Sequence, residues 1–179
     1  MARSQVLVAL LRGVNVGGRS SLKMADLRSL AEGLGFEDVT PYLQSGNLLF
    51  RTSQPVAKAS AALRAALQEA TGRDVAVATR TAPQLTAVVE QCPFEDVASV
   101  HVAFAVDGAQ PTAPEVDPDA FAPERFEVRG RETYLYLPDG MGRSPLAQAL
   151  SKGARAADGT VRGWRTVTAL AERAMNLGA

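Results

Sequence analysis

Residues 6–11 (VLVALL) form an unbroken apolar run, the pattern of a short strand buried on both faces. A stretch rich in Gly and Asn follows. Then Met24, Leu27, Leu30, Ala31 and Leu34 recur at helical spacing, and Gly35 stands where a helix ends in a left-handed residue. Residues 39–43 and 48–51 alternate as strands around the turn signal Ser45, Gly46 and Asn47. Residues 55–71 form an alanine-rich helical pattern carrying Leu63 and Leu67 and stopped by Gly72, and residues 74–79 alternate again. The predicted order is strand, helix, strand, strand, helix, strand, which is that of the ferredoxin-like split βαβ motif.

The second half repeats this less regularly. A helix is predicted over 82–91, with Pro83 in its first turn, and a strand over 100–106. Residues 111–123 are proline-rich and acidic, with room for one short helix. Residues 126–129 and 133–137 flank Gly130, Arg131 and Glu132 as a hairpin. Ser144 and Pro145 supply an N-cap and a first-turn proline for a helix through Leu150, and a last helix spans 164–175. The expected fold is α+β, with two ferredoxin-like (α/β-plait) units in tandem over 1–80 and 81–179, the second decayed.

Composition adds mainly exclusions. Of 179 residues, 46% are hydrophobic and 21% charged, a globular balance. Nineteen basic residues match nineteen acidic ones, so no global charge recruits nucleic acid or an anionic membrane. The single cysteine, Cys92, excludes an internal disulfide and a multi-cysteine metal site, and the first apolar run is far too short to span a bilayer. A cytoplasmic protein is expected.

The candidate chemistry lies in polar loops. Gly13, Gly17, Gly18, Arg19 and Ser20 match the spacing of a phosphate-binding P-loop, but arginine stands where the lysine belongs and the strand order is wrong for that fold. A glycine loop offering backbone N–H groups to an anion remains. His101 is the only histidine and sits in a strand. Cys92 has no base near it in sequence, so classical nucleophilic schemes lack their parts. Arg162, Trp164 and Arg165 gather two guanidinium groups and an indole at a helix start, a combination suited to phosphate, carboxylate or a stacked base. Arg143 and Ser144 open another helix in the same way. Arg12 and Asn15 follow the first strand, while Gln44, Ser45 and Asn47 surround the hairpin turn; in a split βαβ unit both loops fall on one rim of the sheet.

The chain resembles the bacterial domain-of-unknown-function family 1697 nearly end to end. The resemblance is carried by residues 9–18 (ALLRGVNVGG), 24–28 (MADLR), 34–36 (LGF), 42–47 (YLQSGN), 93–94 (PF), 101–104 (HVAF), 130–138 (GRETYLYLP), 142–146 (GRSPL) and 160–168 (TVRGWRTVT). It implies two related α+β plait units and no established activity, cofactor or partner. Gly163, Pro41 and Cys92 depart from it, standing where an asparagine, a threonine and an asparagine are usual.

Three functions compete on this basis. The first is binding of, or action on, a small anionic ligand, phosphate-bearing or nucleotide-like, by Arg12, Asn15, Gly17, Gly18, Gln44, Ser45, Asn47, Arg143, Ser144, Arg162, Trp164 and Arg165. The second is a protein-interaction domain whose motifs pack its two halves together. The third is a single-stranded RNA module, against which the aromatic-free first strand and zero net charge both speak. No metal or particular cofactor is indicated.

Overall fold

The computed structural model describes residues 4–15, 22–109, 115–152 and 159–179. The chain runs β1 (Gln5–Leu11), α1 (Met24–Gly33), β2 (Glu37–Tyr42), β3 (Asn47–Thr52), α2 (Val56–Thr71), β4 (Val77–Thr81) and α3 (Ala82–Glu90). It continues β5 (Val100–Ala105), β6 (Arg125–Arg129), β7 (Glu132–Tyr136), α4 (Pro145–Lys152), β8 (Gly159–Gly163) and α5 (Trp164–Gly178). The strands form two four-stranded antiparallel sheets, ordered β2-β3-β1-β4 and β6-β7-β5-β8. Each order is the other read through the same positions: the first strand of each half lies between the third and the fourth.

The buried run of β1 serves both faces of its sheet. Leu7, Ala9 and Leu11 pack outward with Leu48 and Phe50 against Leu27 and Ala31 of α1 and Leu63 and Leu67 of α2. Phe36 and Phe50 stack there at 4.3 Å between ring centroids. Val6, Val8 and Leu10 face the other way, into a cluster with Leu85 and Val88 of α3, Val167, Leu170 and Ala174 of α5, and Val100, Val102 and Phe104 of β5. Both sheets therefore share one core through α3 and α5, and each fully buried Leu, Val or Phe contributes about 1.5–3 kcal/mol to it. A smaller cluster of Leu135, Leu137, Leu146 and Ala147 holds α4 on the far face of the second sheet.

Several helix ends follow their local chemistry. Gly72 takes φ 71° at the end of α2, its N–H reaching the Gln68 carbonyl at 2.8 Å. Thr81 and Gln84 cap α3 reciprocally, with Pro83 in the first turn.

Four expectations change. β4 lies at 77–81 rather than 74–79, because Arg80 is buried in it. β8 was not expected: Gly159 and Gly163 bound it, and Arg162 hides its apolar character. The short helix expected within 111–123 is, among the described residues, a single 3-10 turn at Pro118–Phe121 rather than an α-helix. Asn47 is the first residue of β3 and fully buried, so the turn itself spans residues 43–46.

Candidate functional site

Arg162 joins the two sheets. It is 8% exposed, on β8, and every guanidinium nitrogen has a neutral acceptor. Its Nε donates to Asn47 Oδ1 at 2.6 Å. Nη1 donates to Thr160 Oγ1 at 2.8 Å and to the Val161 carbonyl at 2.9 Å. Nη2 reaches the carbonyls of Leu11 at 2.8 Å, Ser45 at 3.1 Å and Gly46 at 3.4 Å. Asn47 uses its amide nitrogen on the Tyr42 carbonyl at 2.8 Å and Ser45 Oγ at 3.0 Å. No carboxylate among the described residues lies within ion-pair distance of Arg162. Burial alone pushes its pKa from 12.5 down to about 10, which leaves it charged at neutral pH.

The loops around this clamp form the rim expected from sequence. Asn15 adopts φ 59° and donates to the carbonyls of Leu22 at 3.0 Å and Gln44 at 2.8 Å, tying the loop after β1 to the β2–β3 turn. Its Oδ1 is buried without a hydrogen-bond partner among the described residues. Arg12 is half-buried; its backbone N–H donates to the Ala76 carbonyl at 2.9 Å, and its guanidinium makes no hydrogen bond among the described residues. Gln44 and the Ser45 side chain face solvent. Gly46 has φ 80°, and a Cβ there would collide with Val14. Gly17 and Gly18 lie outside the described residues.

The other expected residues stand apart. Ser144 is fully buried and caps α4, its Oγ accepting from the Ala147 N–H at 2.8 Å. Beside it Glu124, 5% exposed, accepts from the Leu146 N–H at 2.9 Å. The anion at this helix start is thus the chain's own carboxylate, and Arg143 is exposed next to it. Trp164 is half-buried against the shared core, and Arg165 is exposed. The structure brings Asn47, Ser45, Arg162 and the end of β1 together, and Asn15 with Gln44; among the described residues Arg143 and Ser144 share no hydrogen bond with them.

Elsewhere, His101 is half-buried, and burial lowers its pKa against the opposing effect of a backbone contact with Ser99. Cys92 directs its thiol at the Phe94 carbonyl, 3.6 Å away. Among the described residues no group of three or more His, Cys, Asp or Glu is placed to hold a metal ion, and no helix is long and apolar enough to cross a membrane.

A second buried arginine lies outside the residues the sequence singles out. Arg80, 2% exposed on β4, donates from Nε to Glu132 Oε1 at 2.7 Å and from Nη1 to the Thr79 carbonyl at 3.0 Å. Its Nη2 reaches the carbonyls of Ala105 at 3.1 Å and Arg131 at 3.5 Å. Each of these contacts has a positional counterpart at Arg162, which adds the Thr160 hydroxyl and the Ser45 carbonyl. Arg80 pairs with Val8 of β1 as Arg162 pairs with Val102 of β5. Glu132 opposes Phe104 as Asn47 opposes Leu10, and Ala105 ends β5 as Leu11 ends β1. Each sheet thus sends one arginine into the hairpin of the other.

The two ends differ in charge. Arg80 meets Glu132 and lies 3.8 Å from Asp107. Asp107 in turn accepts from Ser60 Oγ at 2.5 Å, the Thr79 N–H at 3.0 Å and Arg131 Nη2 at 3.1 Å. Around Arg162 the corresponding positions hold Asn47 and Gly13, neither carrying charge. The sequence signal was a strand arginine after Thr79 and another after Val161, visible only once β8 is recognised.

No curated protein is significantly similar to the chain. Among solved structures it is similar to the conserved bacterial protein SP0830 from Streptococcus pneumoniae, with a TM-score of 0.78 at 20% identity over 96% of this chain and 99% of that one. That likeness establishes a shared fold. The family described as "Protein of unknown function (DUF1697)" matches residues 5–134, most of the chain. On that match, and with the two-sheet fold in place, the chain belongs to the DUF1697 family.

Proposed function

We propose that this protein binds a small anionic ligand, phosphate-bearing or nucleotide-like, at the rim formed by Arg12, Asn15, Gln44 and Ser45. One observation carries the proposal: Arg162 is a buried full charge behind that rim with no carboxylate beside it among the described residues. Its counterpart Arg80 has two. An anion about 6 Å from Arg162, at an effective dielectric constant of about 20, gains about 3 kcal/mol. Arg12 adds a guanidinium that makes no hydrogen bond among the described residues, and Asn15 holds the rim in place through the Leu22 and Gln44 carbonyls. Asn47 and Arg162 act as the frame of this site, since their donors and acceptors are engaged with protein.

The same engagement supports a second function, in which the motif residues only cement the two sheets and no ligand exists. The fold itself we infer to be two ferredoxin-like units in tandem, with α3 trailing the first as α5 trails the second. The shared strand order and the reciprocal arginines support that.

A thermal-shift panel separates ligand from cement. It contains inorganic phosphate, nucleotides, sugar phosphates, coenzyme A derivatives and simple carboxylates, on wild type and Arg12→Ala. An anion that raises the melting temperature of wild type and not of Arg12→Ala supports the site. A clean melt that no anion shifts overturns it in favour of the packing role.

A further inference from the structure

The reciprocity of the two arginines indicates what the ligand presents. On the Arg80 side the charge is answered within the chain. Asp107, two residues beyond the end of β5, turns back to β4 and takes the Thr79 N–H on both carboxylate oxygens, at 3.2 and 3.0 Å, with Arg131 Nη2 at 3.1 Å. Two residues beyond the end of β1 stands Gly13, at φ 67°, with open space where its Cβ would be. Val161 holds on β8 the register that Thr79 holds on β4, opposite Ala103 and Ala9 respectively. Its N–H therefore faces the same outer edge and, among the described residues, makes no backbone bond outside its sheet.

We propose that a ligand carboxylate occupies, beside Arg162, the place that Asp107 fills beside Arg80. It rests on the Val161 N–H, with Arg12 supplying the guanidinium that Arg131 supplies to Asp107, and Gly13 leaving the room. The second half of the molecule is then the self-occupied copy of a site that the first half keeps open. This rests on the anion-binding function above and narrows it to a planar two-oxygen anion.

The test is a backbone amide NMR titration of the full chain with sodium acetate and, separately, sodium phosphate at constant ionic strength. Acetate should move the Gly13 and Val161 signals saturably, and Arg12→Ala should weaken that response about tenfold. Gly13→Asp, at an exposed loop position whose left-handed backbone aspartate tolerates better than most residues, should abolish it by supplying a tethered carboxylate. Its spectrum reports directly whether the fold is kept. Shifts produced by phosphate alone, or by acetate at residues away from Gly13 and Val161, overturn this inference while leaving anion binding standing. Absence of any saturable shift with every anion removes both.

Discussion

At the scale of single residues, the account turns on polar groups whose partners sequence cannot display. Asn47 looked like a turn residue because asparagine beside glycine makes turns. In the fold it is the fully buried acceptor of an arginine donor. Asn47→Ala leaves Arg162 Nε without its acceptor and should cost about 3 kcal/mol, the loss expected when a buried charged donor goes unsatisfied, read as a lower urea midpoint with an unchanged slope. A loss below about 1 kcal/mol, ordinary for a surface change, would contradict the clamp.

Tyr134 gives a pH prediction. Its hydroxyl donates to the Val88 carbonyl at 2.7 Å, and burial pushes its pKa from 10.0 up to about 12. A phenolate cannot make that bond. The folded pKa lies above the unfolded one, so the contribution is complete below pH 10 and is lost as pH rises through about 12. Absorbance titration of the three tyrosines should show one delayed step that Tyr134→Phe removes. Three steps together near the ordinary value would contradict it.

At the scale of elements, patterns of apolar residues were enough wherever periodicity and punctuation agreed. The apolar run of β1, the Gly72 stop of α2 and the Pro83 start of α3 were all legible, since each is a local signal. β8 was not, because a five-residue strand holding one arginine between two glycines has no alternation to read. Arg80 displaced the expected end of β4 for a related reason: an arginine reads as solvent until Glu132 and Asp107 are brought to it by folding. The start of α4 is legible as a capped helix, while the anion that its arginine and hydroxyl suggest is supplied by the protein itself. That carboxylate, Glu124, comes from 20 residues upstream of Ser144 in sequence. Ser144→Ala should accordingly cost about 1 kcal/mol through the lost cap and leave anion-induced stabilisation intact. A loss of that stabilisation would return this helix start to the site.

At the scale of the whole molecule, two sheets of the same strand order hold each other through one shared core and a pair of crossed arginines. Sequence pointed to the two halves, and to Arg162, but not to the reciprocity. Reciprocity depends on pairing Val8 with Arg80 and Val102 with Arg162, contacts between residues far apart in the chain. Charge distinguishes the halves where geometry does not: one arginine is answered by carboxylates of the protein, the other, among the described residues, by neutral groups only. The rim residues Arg12, Asn15, Gln44 and Ser45 acquire their meaning from that imbalance.

The measurement that tests this most directly is the melting temperature of wild type and Arg12→Ala against acetate and phosphate at constant ionic strength. Near a hundred times its dissociation constant a ligand adds about 2.7 kcal/mol, worth roughly 5–10 °C in a chain of this size. The account predicts a rise of that order in wild type that is largely lost in Arg12→Ala. Equal slopes in the two proteins, or flat ones in both, would contradict it.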